Sequence, residues 1–536
     1  MLHRIILGVF VAVVLAGCTV AHGGGGRNSW TMPGELRWTE GQDLDNLNPI
    51  LTNEAAVTDL SVFTQAYLFL FGAHGELVPS LAVTEPSREN RLLSADGKTI
   101  IYRLRRGVLW HDGVPFTSAD VAFSVKTILD PRVNAASTQG FSDIARLDTP
   151  DPYTVIVRLR QPYSPFVSTF MTPHVGSAIL PKHLLEGKDI NHASYNGLPI
   201  GAGPFKYVRW QRGGNVVLEA FTHYWGRAPK LRKITYNIVT DSSAAISELE
   251  SHELDAFARV PNEQYRFAAG VTGTRTIDFD TYGFEHIVFN LMNPILRDLR
   301  VRQALAHAVD TPMIREKVNH GSGFLQCSPI PHFSWAYNAQ TPCYAFDRRT
   351  SGTLLDQAGW RLSPDGLRRK NGEPLRLTLV STTGNQTRDQ SAVLIQSSLH
   401  QIGVDLSYRR YQANQLFAKR DGILDSGKFD LSLFTWFWLP DPDISDLYEC
   451  SRAAPIGENE GRYCNPQVDR LLQDALTHYD RATRRADYLK AQEIIGRDVP
   501  TITLYQRVDH LTVNSDMRNA QPGPSQIFWN AAAISN

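Results

Sequence analysis

The chain has 536 residues, with 54 Lys plus Arg against 54 Asp plus Glu and a formal net charge of zero. That balance gives no reason to expect nucleic acid or an acidic surface as partner. At roughly 150 residues per domain, the length is too great for a single core and predicts two or three lobes.

The N-terminal residues read as a targeting segment. Arg4 supplies a positive charge, and residues 5–15 form an apolar run too short to serve as a permanent membrane span, so they read as a signal-peptide core. The run ends in Leu15-Ala16-Gly17-Cys18, which resembles the lipobox of bacterial lipoproteins. That resemblance implies removal of residues 1–17 and lipidation of Cys18, whose acyl chains would anchor an exported protein to the cell membrane, facing the periplasm or the cell exterior. Residues 18–33 then form a tether, with Gly23 to Gly26 giving it flexibility. No later stretch has the length and apolarity of a membrane span.

The first well-patterned element lies at 93–129. Asp96-Gly97 is a turn pair, and Ile100, Tyr102 and Leu104 recur at period two, as one face of a strand requires. After His111-Asp112-Gly113, Thr117 stands three residues before Asp120, a variant of the capping box that opens a helix. Val121, Val125, Ile128 and Leu129 share one face of that helix, and Asp130-Pro131 stops it. Residues 153–159 alternate as a strand, and Gly201-Ala202-Gly203-Pro204-Phe205 is a turn-rich entry to another.

Further along, residues 284–291 form a strand, and a helix over 298–309 follows with Asp298 as its N-cap and Val301, Leu305, Ala308 and Val309 on one face. Residues 353–360 read as a helix closed by Gly359. Residues 375–380 alternate as a strand, and the helix from Ser391 to Gly403 with the strand after it completes a βαβ unit. Asn465-Pro466 opens a helix with Val468, Leu471, Leu472 and Ala475 buried, Pro500 ends the next helix, and 501–505 is the last strand.

Four cysteines remain after Cys18: Cys327, Cys343, Cys450 and Cys464. An even count in an exported chain favours disulfides, and four cysteines allow three pairings. The two local ones, Cys327 with Cys343 and Cys450 with Cys464, are favoured because each closes a Gly- and Pro-containing loop. Each would contribute ~3 kcal/mol in the chain-entropy model. A Cys₄ zinc site lacks the CxxC spacing it needs.

The block at 93–129, together with Gly201–Phe205, the FN…VRQAL segment near 290–305 and LLDQAGW at 354–360, resembles extracytoplasmic solute-binding protein family 5, the substrate-binding lipoproteins of peptide, dipeptide and nickel ABC transporters. The resemblance covers residues 34–520. It implies an α/β, periplasmic-binding-protein-like fold with two lobes and an inserted subdomain around a ligand cleft. The implied segments are 34–78 and 199–290 for lobe 1, 79–198 for its inserted subdomain, 291–499 for lobe 2 and 500–536 for the return to lobe 1. It further implies a monomer that captures a peptide by hinge closure and delivers it to ABC permease subunits, with no cofactor and no chemistry of its own. No GxSxG, HExxH, GxxxxGK[ST] or CxxC motif argues for an enzyme.

The ligand site is expected at the segment 429–443, FDLSLFTWFWLPDPD. Leu431, Leu433 and Phe437 fall on one face and Phe434, Trp436 and Trp438 on the other, a pattern that fits either core or cleft. By resemblance, the backbone of Phe434, Thr435 and Trp436 would pair with a peptide ligand. The family's ammonium-binding aspartate is replaced here by Trp438, so Asp441, Asp443 or Glu54 would have to substitute, or the ligand is not an ordinary peptide. Asn53 and Glu54 match a ligand-facing loop of lobe 1, with helix opening as Glu54's alternative role. Arg388, in the loop before a helix, would grip a ligand carboxylate unless it is a solvated surface side chain. The alternatives are the same scaffold binding an opine, oligosaccharide, metal chelate or haem, or a secreted peptide hydrolase using Asp441 and Asp443.

Overall fold

The computed structural model describes residues 27–174 and 176–536. Cys18, the leader and most of the tether lie outside the described residues. Strand β1, Glu35–Thr39, buries Leu36 and Trp38 at period two, and helix α1, Ala55–Thr64, follows with Glu54 at its N-cap. Strands β2, Thr99–Arg103, β3, Ile144–Asp151, and β4, Thr154–Leu159, form an antiparallel sheet with β4 central. Helix α2, Ser118–Ile128, packs against it and opens with both bonds of the Thr117/Asp120 capping box. Ile100, Tyr102, Val121, Val125 and Ile128 share one core with residues as far on as Ala202. The core also takes in Ile50 and Ala66 to Phe69, so this subdomain packs continuously onto the preceding segment.

A ten-stranded sheet organises the rest. Its first members are β5, Phe205–Gln211, β6, Asn215–Ala220, β7, Lys233–Asn237, and β8, Ala256–Ala258. Then come the long β9, Thr274–Phe289, and, after helices α3, Leu299–Ala308, and α4, Arg348–Gln357, strand β10, Arg376–Thr382. Helix α5, Gln386–His400, links β10 to the parallel β11, Asp405–Tyr411. Strand β12, Leu431–Phe437, helices α6, Pro466–Thr477, and α7, Arg481–Asp498, and strand β13, Thr501–Asn514, complete the series. The order across the sheet is β11-β10-β12-β9-β13-β8-β1-β7-β6-β5.

Strands β9 and β13 pair antiparallel from Thr274↔Asn514 to Val288↔Thr501, with register shifts at Asp280/Phe284 and Glu285/His286. These two strands serve both lobes. Their ends toward Thr274 and Asn514 join a core with β1, β6 and β7, while Ile287, Phe289, Ile502 and Leu504 pack with α3, α5, β10 and β12. Bulges of the kind marked by those register shifts leave residues unpaired and increase the local twist of the ladder.

Both local disulfides, Cys327–Cys343 and Cys450–Cys464, are formed. Several elements differ from expectation in length. Helix α5 starts at Gln386, where the Asn385 side chain accepts from the Arg388 N–H, so Arg388 belongs to the first helical turn and not to a loop. Helix α4 starts at Arg348 under an Asp347 cap. Strand β13 runs nine residues past Tyr505, and β9 starts ten residues before Phe284. Among the described residues no helix is long and apolar enough to cross a membrane.

Candidate functional site

Strand β12 begins as a fully buried strand and ends as an open edge. Leu431 to Phe434 are buried, Thr435 and Trp436 are half-buried, and Phe437 is exposed. On one side β12 pairs with β9 along its whole length. The Trp438 N–H donates to Tyr282 O at 3.1 Å and the Asn290 N–H to Asp430 O at 2.9 Å, so the even-numbered residues direct their backbone groups to β9. The odd-numbered residues face the other way, as the two-residue period of a strand demands. There β10 pairs only at Leu379↔Leu431 and Val380↔Ser432, and the Ser381 hydroxyl donates to Leu433 O at 2.8 Å. Past Leu433 no strand among the described residues covers that side, which leaves the backbone groups of Thr435 and Phe437 for an added strand. The register of the free edge is thus Thr435 and Phe437, while the backbone groups of Phe434 and Trp436 are directed at β9.

The two indoles have different surroundings. Trp438 is 6% exposed, stacks on Phe284 with ring centroids 5.7 Å apart, and donates its Nε1–H to Pro329 O at 2.7 Å. It belongs to a core with Tyr282, Tyr448 and Tyr488. Phe434 is likewise core, edge-on to His286 at 4.8 Å. Trp436 instead lines a cavity of about 1050 Å³ between the inserted subdomain and the second lobe, walled by Asp143, Tyr163, Asp443, Asp446, Glu449 and Arg452. Its indole N–H has no partner among the described residues.

The charged candidates are mostly engaged within the protein. Asp441 receives two hydrogen bonds from Arg484, Nη1 to Oδ2 at 2.9 Å and Nη2 to Oδ1 at 2.5 Å. That bidentate pair removes Asp441 as a free anion for a ligand ammonium, although the residue does line a second inter-lobe cavity of about 690 Å³. Arg388 donates from Nε to Glu285 Oε1 at 2.7 Å, from Nη1 to Thr382 at 3.0 Å and from Nη2 to Thr435 Oγ1 at 2.8 Å. The Thr435 hydroxyl in turn bonds Glu285. Arg388 therefore braces the strand edge. Asn53 is exposed, and Glu54 caps α1 by position without a side-chain cap bond, while burial and Asp45 hold its carboxyl above the usual range. Neither residue lines the two cavities at the end of β12.

Asp443 and Asp446 remain directed at the larger cavity. Asp443 accepts from the Tyr163 hydroxyl at 3.2 Å and from Ser445, and burial keeps its carboxyl above the usual range. Burial, then the charge of Asp443, push Asp446 up to about 6. Tyr163 comes from the inserted subdomain, and its neighbour Ser164 donates its N–H to Leu476 O at 2.7 Å and its hydroxyl to Ala475 O at 3.1 Å. These are C-terminal carbonyls of α6, which lack partners within the helix. The Tyr479 hydroxyl adds bonds to Gly97 O and Tyr163 O at 2.9 and 3.1 Å. Sequence reading missed these lobe-bridging residues, since each lies more than 300 positions from its partner or carries no local pattern.

The comparisons with known proteins settle the family. A sequence model of the bacterial extracellular solute-binding proteins, family 5 Middle, matches residues 76–457, more than half of the chain. The chain belongs to this family. It is similar to the oligopeptide-binding protein AppA of Bacillus subtilis, 26% identical over 490 residues that cover 90% of this chain and 88% of AppA. Among solved structures it is similar to NikZ from Campylobacter jejuni in complex with Ni(L-His), 27% identical, covering 94% of this chain and all of that one with a TM-score of 0.78. The AppA structure from Bacillus subtilis in complex with a nonapeptide shares the fold, with a TM-score of 0.76 at 24% identity over 94% of this chain and 99% of that one. The family is one of solute-binding proteins, and its fold is that of periplasmic binding proteins.

Proposed function

We propose that this solute-binding protein captures oligopeptides or dipeptides between its lobes and delivers them to the permease subunits of an ABC importer, without chemistry of its own. The observation that carries the reading is the open side of β12 at Thr435 and Phe437, beside a cavity large enough for several residues. An extended peptide added there gains main-chain hydrogen bonds whatever its side chains, which suits a carrier of mixed sequences. The names of AppA and its nonapeptide complex agree with this reading. Lobe boundaries near residues 290 and 500 are supported by the separate cores on either half of β9 and β13, while the core of the insertion over 79–198 also takes in Ile50 and Ala66 to Phe69. Cys18 would anchor the protein to the membrane as a monomer.

A second reading keeps the scaffold and changes the cargo. Trp438 occupies the place of the family's ammonium-binding aspartate and is sealed in the core, while NikZ carries a nickel–histidine complex. A metal chelate, opine, oligosaccharide or haem would not need that aspartate. Thermal-shift screening against peptide and non-peptide panels separates the two. At a ligand concentration of about 100 Kd, binding stabilises the native state by roughly 2.7 kcal/mol. Shifts from chelates or sugars, with none from any peptide, would rule out the peptide reading.

A further inference from the structure

The strands of lobe 1 come to a common end on the side away from lobe 2. The starts of β1, β7 and β9, the turn before β8 and the finish of β13 lie together there, through the pairings Glu35↔Lys233, Trp38↔Ala256, Ala256↔Val513 and Thr274↔Asn514. The first described segment is fastened across this end. Asn28 donates its N–H to Asp516 Oδ2 at 2.8 Å and its side-chain amide to Gly273 O and Asn514 Oδ1 at 2.8 and 2.9 Å, and the Thr31 hydroxyl donates to the same Asp516 oxygen. Trp30 stacks on His252 with ring centroids 4.4 Å apart. The chain therefore joins the fold at a fixed point. Residues 18–26, which lie between Cys18 and that point, can span at most about 30 Å.

Charge at this end is one-sided, although the whole chain is neutral. In the segments that form it, 27–34, 230–233, 251–254, 270–275 and 514–519, the exposed basic residues are Arg27, Lys230, Arg232, Arg275 and Arg518, and the exposed acid is Glu253. Asp516 is engaged by Asn28 and Thr31, and Lys233 is paired with Glu35 at 3.3 Å. Arg232 donates from Nη2 to Pro33 O at 2.7 Å and Arg275 from Nη2 to Met517 O at 3.0 Å. Among the described residues each uses one of its five N–H donors in this way, and the rest of the fork is open to oxygen ligands. Phosphate oxygens match such a fork. We propose that this end of lobe 1 is a membrane-facing surface, on which Lys230, Arg232, Arg275 and Arg518 meet the headgroups of anionic phospholipids. The proposal rests on the lipid-anchor reading of Cys18 above. Contacts of this kind act within about one Debye length, ~10 Å at 0.1 M salt, so the short tether is what brings the two surfaces into range. Lobe 1 is then the fixed lobe and lobe 2 the one that swings.

The test uses the full chain, purified as the lipoprotein and reconstituted on vesicles of phosphatidylcholine alone or with about 30% phosphatidylglycerol to supply negative charge. A fluorophore is placed at Ser515→Cys, beside the basic residues, or at Leu362→Cys in lobe 2, both exposed positions. A headgroup-labelled lipid serves as quencher. Quenching at position 515 is expected to be at least about threefold greater on the anionic vesicles than on the neutral ones, and to lose that difference near 0.5 M salt. Position 362 should not distinguish the vesicles. The triple variant Lys230→Gln, Arg275→Gln, Arg518→Gln should abolish the difference. Arg158→Gln, Arg160→Gln, Lys188→Gln removes the same charge from the inserted subdomain and should keep it. Equal quenching at 515 on both vesicles, or an undiminished difference in the first triple variant, overturns the surface. Intact mass tests the anchor separately. If Cys18 carries no acyl chain, the anchor reading fails, and cosedimentation of the same protein with the two vesicle types decides the surface. Binding to anionic vesicles alone, lost in the first triple variant, upholds it; no binding overturns it as well.

Discussion

Asp441 and Arg484 meet through two hydrogen bonds with side chains only 10% and 8% exposed. Coulombic attraction inside the protein offsets the cost of removing both charges from water, so loss of one partner leaves the other buried and uncompensated. Arg484→Met is therefore expected to destabilise by about 3 kcal/mol or more in urea unfolding, and the double variant with Asp441→Asn by less than the sum of the two singles. A near-neutral Arg484→Met would show that the pair is solvated. Glu460 gives the pH counterpart. It is 5% exposed, its Oε2 has no partner among the described residues, and burial pushes its carboxyl up to about 8. The native state then holds a proton that the unfolded chain releases near pH 4–5, so this group's contribution to stability falls as pH rises from about 4.5 through 8. Glu460→Gln should gain stability relative to wild type as pH increases across that window, read as the difference in Tm between pH 5 and pH 8. A Tm difference that does not change with pH would place the Glu460 carboxyl in water.

At the scale of elements, β12 carries the argument through its alternation. Backbone pairing at Thr435 and Phe437 requires the ligand to present its own groups at every second residue. Single N-methylation along a bound peptide should thus abolish binding at alternate positions and be tolerated between them, whereas uniform tolerance would exclude strand addition. The elements that were legible in advance are those with local causes. The Thr117/Asp120 box, the Asp298 cap and the Asn465-Pro466 opening each act within a few residues, and each helix begins where its cap predicts. The half of β9 before Phe284 was missed although Ile277 and Phe279 alternate with Asp278 and Asp280 as a strand does; its pairing partner on β13 lies more than 200 positions away. Trp438 shows the same limit within the site. Its place just past the end of a strand was readable, but its hydrogen bond to Pro329 spans 109 positions and has no trace in the local pattern. The engagement of Arg388 by Glu285, 103 positions away, was hidden for the same reason.

For the whole molecule, the hinge closure proposed above would draw on contacts that the protein makes with itself as well as on ligand. Ser164 caps the end of α6 from the opposite lobe, and Tyr479 reaches back to Gly97 and Tyr163. Contacts present only in the closed state shift the open–closed equilibrium and raise apparent affinity without touching ligand. Ser164→Ala with Tyr479→Phe should weaken binding of any ligand by about tenfold, on the scale of one or two neutral hydrogen bonds, and enlarge the radius of gyration in solution scattering. Unchanged affinity and size would mean that ligand alone closes the cleft. The most direct test of the peptide-carrier reading is native mass spectrometry of the protein purified without denaturation, with release of whatever occupies the cleft. The account predicts short peptides of mixed sequence; a uniform non-peptide mass, such as a metal chelate or a sugar, would contradict it.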